Sequence, residues 1–211
     1  MHLQDAAAAV LLVACMGVLH AQQADNSSEA FRKQYLEQFP WTTANTTAGD
    51  AMMLRVLVES RSAKRGVEVG TNTGYGAINM GIGFQRTGGS LTTIEINART
   101  AASARGHLQK VGLDKVVTVV QGDALKVLPT LEGEFDFVFL DALKPDYLKY
   151  LKALEPKLKP GATVVADNVI DYAKQMPDFL EYIQSSPLYD TAIIRASMQK
   201  NDGMSVSYKI R

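Results

Sequence analysis

Two short stretches of this chain could hold a cation between them. In "DFVFLDALK" (136–144) an apolar run stops at Asp141, and an amine follows at Lys144. In "VVADNVI" (164–170) another apolar run stops at Asp167-Asn168. Two carboxylates and an amide oxygen, brought together, suit a hard divalent cation such as Mg²⁺, Ca²⁺ or Mn²⁺, with water or substrate completing the shell. Without a cation, clustered carboxylates repel. Each pair alone also reads as a loop cap, since Asp and Asn are common turn residues.

Three further places carry polar groups at the ends of apolar runs. "EVGTNTGYG" (68–76) places Gly70, Gly74 and Gly76 after a short strand, where they either admit a ligand close to the backbone or only make a tight turn. Their spacing is not the G-x-G-x-x-G of dinucleotide sites. Glu95, 25 positions after Gly70, is placed to accept hydrogen bonds from two ribose hydroxyls, or is a solvated strand-end charge. Asp123, in "QGDAL" (121–125), caps the following helix, accepts from an adenine amino group, or does both.

The elements that must position these residues alternate. Strands are expected over 66–70, 90–96, 115–122, 134–141 and 161–168. Helices are expected over 75–84, 98–112, 145–158 and 176–184, with a short one after Asp123. An amphipathic helix from Gly49 has Met52, Met53, Val56 and Leu57 as its apolar face. Alternation of this kind implies an α/β fold, a mostly parallel sheet with helices on both faces. The final pair of strands, joined by a turn at Asn201-Asp202-Gly203, has too short a connection to be parallel. In open parallel sheets ligands bind at the carboxyl ends of the strands, where the residues above fall.

Totals limit the alternatives. The 211 residues suit one domain, and 46% hydrophobic with 21% charged residues is ordinary for a chain with a buried core. Lys+Arg and Asp+Glu are both 22, so there is no basic surplus for nucleic acid. One cysteine, Cys15, excludes an internal disulfide, and His2, His20 and His107 are scattered rather than set at zinc spacing. The start differs from the rest. Residues 6–19 are apolar, like a signal-peptide core or, at Cys15, a lipoprotein anchor, although "MHLQD" lacks the usual positive charge. A polar linker follows over 21–30. We divide the chain into a leader and linker (1–24), an N-terminal substrate-side segment (25–48) and a main domain (49–211). Membrane association through the leader is one expectation, and localisation is left open between an anchored or exported protein and a cytoplasmic-type catalytic domain.

From about Thr46 onward the chain resembles the class I S-adenosylmethionine-dependent O-methyltransferases of the catechol and caffeoyl-coenzyme A group. "EVGTNTGYG" resembles that family's E-x-G-x-x-x-G-Y-S loop, with Gly76 where serine is usual. "IEI" resembles its ribose-binding strand end, "FDFVFLDALKPDYLKYL" and "VVADNVI" its metal-binding segments, and "NTTAGDAMM" the substrate side before the first helix. The resemblance implies a Rossmann-like, seven-stranded sheet with an antiparallel C-terminal strand, and methyl transfer to a hydroxyl of a small catechol-like phenol. Asp141, Asp167 and Asn168 would hold the cation, and Lys144 beside it would accept the phenolic proton. Glu68, Gly70, Thr71, Tyr75 and Gly76 would line the methionine side of the cofactor, with Asp141 also beside it. Glu95 would take the ribose, and Asp123 with Ala124 the adenine edge. Thr46, Thr47, Lys144 and Asn168 would meet the substrate. A homodimer is a further expectation. Leu143 stands where the plant caffeoyl-coenzyme A enzymes usually carry aspartate, and the segment after Asn168 is shorter than theirs, which implies a more open acceptor site. A nicotinamide dehydrogenase explains Glu95 but not the Asp141, Asp167, Asn168 set. A base-directed N-methyltransferase would carry D/N-P-P-Y where this chain has "DALK". A cofactor-binding fold without catalysis, used for sensing or interaction, is the non-enzymatic alternative.

Overall fold

A computed structural model describes residues 26–211, so the leader lies outside the described residues. Five parallel strands form the body of one sheet: β1 (Arg65–Val69), β2 (Ser90–Glu95), β3 (Val117–Gln121), β4 (Phe135–Leu140) and β5 (Leu158–Ala166). β6 (Tyr189–Ile194) and β7 (Met204–Lys209) complete it in the order β3-β2-β1-β4-β5-β7-β6, with β7 antiparallel to both of its neighbours. The expected seven-stranded, mostly parallel sheet is therefore present.

The central strands are apolar on both sides because both faces are covered. In β4, Phe137 and Phe139 join a core that includes Ala51, Leu54, Ile78, Phe84 and Leu108. Val138 and Leu140 point the other way, into a core with Tyr147, Leu151, Phe179 and Ile183. The first layer holds α2 (Ala48–Ser60), α3 (Tyr75–Thr87) and α4 (Ala98–Lys110), and the second α6 (Tyr147–Leu154) and α7 (Pro177–Ser185). A four-residue turn of helix, α5 (Ala124–Val127), follows β3.

Two features differ from the expectation. The buried stripe of α2 is Ala51, Leu54 and Val58, while Met52 and Val56 are each 47% exposed. Apolar residues run almost all the way round this helix, so periodicity alone does not choose the face. A helix, α1 (Glu29–Glu37), also begins inside the expected linker, capped by the Ser28 side chain. It is fixed by an apolar stripe, Phe31, Tyr35 and Leu36, that packs against the first core, and by a charged residue. Arg32 is buried and donates to the carbonyls of Val111 (2.8 Å) and Gly112 (3.2 Å) at the end of α4.

The registers bring the chemistry to one edge. Val69 lies opposite Ile94 and Leu140, and Leu140 opposite Ala166. The next residues, Glu95, Gly70, Asp141 and Asp167, therefore end neighbouring strands in that order. The sheet grows outward in both directions from β1 and β4, and a crevice at such a switch point is where doubly wound folds bind ligands.

Candidate active site

Two cavities meet at this crevice. One, of about 540 Å³, is lined by Gly70, Glu95, Asp123 and Ala124. The other, of about 960 Å³, is lined by Trp41, Thr47, Lys144, Asp167, Asn168 and Tyr172 among others. Asp141, Ala142, Leu143 and Ala44 border both.

In the smaller cavity the carboxylates are held by backbone amides. Glu95 accepts from Asn72 N at 2.7 Å and Asn97 N at 2.8 Å, one on each oxygen. Each oxygen keeps acceptor capacity for a ligand hydroxyl. Asp123 accepts from Leu125 N at 3.0 Å, so it does cap α5. Gly70 has φ +100°, and a Cβ there would stand 2.1 Å from the Asp141 carbonyl oxygen. Only glycine lets β1 turn this close to the end of β4.

Glu68, Thr71, Tyr75 and Gly76 line neither of these two cavities. Glu68 and Thr71 are buried and joined through Thr93. The Thr93 hydroxyl donates to Glu68 Oε2 at 2.5 Å and pairs with the Thr71 hydroxyl. Burial, with Asp141 and Glu95 nearby, pushes Glu68 up to about 8 against the relief from Thr93. A Cβ on Gly76 would come within 3.0 Å of Glu68 Oε1 and 3.2 Å of Thr46 Oγ1, so the glycine at this position fits tightly against both. Tyr75 packs on Trp41, with ring centroids 4.5 Å apart.

In the larger cavity Asp141 and Asp167 are balanced by lysines. Lys144 Nζ donates to Asp141 Oδ1 at 3.0 Å and to Tyr147 Oη at 2.8 Å. Tyr147 Oη in turn donates to the Asp167 carbonyl at 3.3 Å. Thr46 Oγ1 reaches Asp141 Oδ2 at 3.5 Å, and Thr46 itself is buried. Asp167, 1% exposed, accepts from Lys200 Nζ at 2.9 and 3.2 Å. Burial and the neighbouring Asp141 push Asp167 up to about 6, with Lys200 opposing. Lys200 also lies 3.3 Å from Asp50 Oδ2, and Asp50 accepts from the Thr47 hydroxyl at 2.7 Å. Burial would lower the Lys200 ammonium, but Asp167 and Asp50 raise it.

Asn168 sits at φ +62°, a left-handed turn that asparagine tolerates. Its Nδ2 donates to Asp202 Oδ2 at 2.9 Å, which leaves its Oδ1 to accept. Asp202 Oδ1 accepts from the amides of Ile170, Asp171 and Gly203. Burial would raise the Asp202 carboxyl, but these bonds hold it below the usual range.

The donor set fits a hard divalent cation. The three expected groups all offer oxygen, and three carboxylates (Asp50, Asp141, Asp167) face two ammonium groups (Lys144, Lys200). Among the described residues no group of three or more His, Cys, Asp or Glu is arranged as a metal site. Asp141, Asp167 and Asn168 would therefore need water or substrate for the remaining positions.

The structure thus brings Asp141, Lys144, Asp167, Asn168 and Thr47 to one cavity and Gly70, Glu95, Asp123 and Ala124 to the other. Sequence reasoning missed Asp50, Tyr147, Lys200 and Asp202, together with the aromatic wall of Trp41 and Tyr172. Trp41, the only tryptophan and placed just before the expected substrate segment, was the one available signal.

A family model described as O-methyltransferase matches residues 21–178. The chain belongs to this O-methyltransferase family. It is 35% identical over 129 residues to a catechol O-methyltransferase of Niastella koreensis, a match covering 59% of this chain and 58% of that protein. It is 24% identical over 199 residues to a caffeoyl-CoA O-methyltransferase of Medicago sativa, covering 85% and 80%. A putative O-methyltransferase from Klebsiella pneumoniae superposes with a TM-score of 0.78 at 26% identity, covering 91% of this chain and 95% of that one. The O-methyltransferase TomG from Streptomyces achromogenes, solved in complex with SAM, gives 0.75 at 28% identity, covering 86% and 89%. Fold and relatives together place the chain among the S-adenosylmethionine-dependent O-methyltransferases, as the sequence resemblance implied. They lend no support to the expected membrane association or homodimer. Among the described residues no helix is long and apolar enough to cross a membrane.

Proposed function

We propose that this protein transfers a methyl group from S-adenosylmethionine to one hydroxyl of a small catechol-like phenol, with the help of a divalent cation. The observation that supports this best is the position of Asp141, which borders both cavities and pairs with Lys144. The cofactor would lie in the smaller cavity, its ribose on Glu95 and its adenine edge beside Asp123 and Ala124. The phenol would enter the larger one, between Trp41 and Tyr172, with Thr47 at the rim.

Asp141, Asp167 and Asn168 would hold the cation, which when bound lowers the pKa of a coordinated hydroxyl and fixes its direction. Lys144 Nζ, once its ammonium proton has passed to solvent, takes the hydroxyl proton. Its pairing with Asp141 must therefore loosen as the substrate enters. A lone pair on the phenolic oxygen forms the new O–C bond while the C–S bond breaks. The electron pair stays on sulfur, and S-adenosylhomocysteine leaves. Asp141, Tyr147 and Thr46 contribute by orienting the groups around this oxygen, which is where much of the rate gain arises.

The test is a methyl-transfer assay on the full chain with isotope-labelled S-adenosylmethionine and a panel of catechols, with Mg²⁺ and with chelator. Transfer that stops with chelator and in Lys144→Ala is expected. Undiminished transfer in chelator would overturn the cation, and transfer only to non-phenolic hydroxyls would overturn the substrate class.

A further inference from the structure

Lys200 has no place in the expected chemistry, yet it occupies one of the expected cation ligands. Its ammonium is bound to both oxygens of Asp167 and lies 3.3 Å from Asp50. Both carboxylates are almost wholly buried, whereas the Lys200 side chain is 25% exposed. The segment that carries it, 195–203, joins β6 to β7 and is anchored at its base. Asp202 gathers three backbone amides, and Gln199 Oε1 accepts from Ala48 N at 3.2 Å at the start of α2. The backbone is anchored, and four methylenes separate it from the charge.

A divalent cation and an ammonium group cannot share one carboxylate without strong repulsion. We propose that Lys200 is a tethered cation that holds Asp167 until a divalent cation binds there, and that it then shifts wholly onto Asp50. This rests on the cation reading given under Proposed function. Asp50 is what makes the exchange feasible. It is a second buried carboxylate within reach of the same ammonium, and it needs a countercharge in either state. Asp167 is then never left unpaired: it has the lysine or the metal. The consequence is that Lys200 weakens cation binding while protecting the site from the repulsion of clustered carboxylates.

The test is a titration of the full chain with Mn²⁺ alone, followed by electron paramagnetic resonance, with Mg²⁺ as competitor. The variants are Lys200→Met, Lys200→Arg and Asp141→Asn. Lys200→Met is expected to bind Mn²⁺ at least about tenfold more tightly than the parent chain, about 1.4 kcal/mol. Lys200→Arg, which keeps the charge, should stay near the parent. A gain in affinity cannot come from misfolding, and unchanged S-adenosylmethionine binding provides a check on the fold. Equal or weaker Mn²⁺ binding by Lys200→Met would overturn the proposal, as would an arginine variant as tight as the methionine one. If the parent and Lys200→Met bind equally and Asp141→Asn abolishes binding, the role of Lys200 falls and the cation site stands. If neither binds Mn²⁺, the cation reading falls with it.

Discussion

The two halves of the crevice differ in how far side-chain cations hold their carboxylates. On the β2–β3 side, Glu95 and Asp123 are gripped by backbone amides within two positions in sequence or in the neighbouring loop. On the β4–β5 side, Asp141 and Asp167 are paired with the side chains of Lys144 and Lys200, although one oxygen of Asp167 also accepts from Asn168 N at 2.8 Å. Backbone amides are fixed once the turn has formed, so the first half is rigid and ready for a ligand that is always the same. Lysine side chains can let go, so the second half is suited to exchange partners, as the proposed cation, phenol and proton transfer require. A methyl donor used in every turnover needs the first kind of site, and acid–base chemistry needs the second.

That contrast can be broken most sharply at Asp141. Asp141→Asn keeps the shape and removes the charge, and we expect turnover to fall by about 10²- to 10³-fold. Cofactor affinity, measured by calorimetry, should change far less, and a parallel loss of both would erase the distinction between the halves. Next in size is Glu95→Ala, which would remove the charge-assisted bonds proposed between Glu95 and the ribose. It should weaken S-adenosylmethionine binding about ten- to a hundredfold, with turnover at saturating cofactor largely kept.

A third prediction concerns the layer beneath the glycine loop. Glu68 has a folded-state value of about 8 against 4.5 as reference, because burial favours its neutral form. A carboxyl raised on folding contributes stability below the unfolded value and loses it as pH rises towards the folded one. Melting temperature without ligands should therefore fall between about pH 4.5 and pH 8 through this group. Glu68→Gln, which cannot ionise, should flatten that part of the profile. If the two profiles stay parallel, Glu68 is not neutral in the folded chain. The smallest effect is expected for Thr47→Ala. Its hydroxyl accepts from Asp50 N at 3.3 Å and caps α2, so its loss should cost about 1 kcal/mol, or roughly 2–4 °C in melting temperature.

Much of the site was legible because a parallel sheet converts sequence order into spatial order. Once 134–141 and 161–168 are read as neighbouring strands, Asp141 and Asp167 must end side by side, and the registers place them so. Asp123 as a helix cap was legible for a local reason, the short Asx geometry. Lys200 was not, since it meets Asp167 across 33 positions and joins α2 only through the folded loop. The paired identity of Asp50 was hidden likewise, although its place near the start of a helix was plain. The face of α2 failed for another reason: with Met52, Met53, Leu54, Val56, Leu57 and Val58 all apolar, nothing in the helix itself marks the buried side.

The sheet order carries one more consequence. β7 follows β6 along the chain but lies between β6 and β5. While the polypeptide emerges from the ribosome, β6 has no partner to pair with, and β5 remains an open edge. Only when β7 slots between them does the segment bearing Lys200 and Asp202 come into place. The cofactor half can therefore assemble during synthesis, whereas the acceptor half is completed in the closing step. A nascent chain halted before residue 204 would present a finished glycine loop beside an unfinished larger cavity and an exposed strand edge prone to wrong pairing.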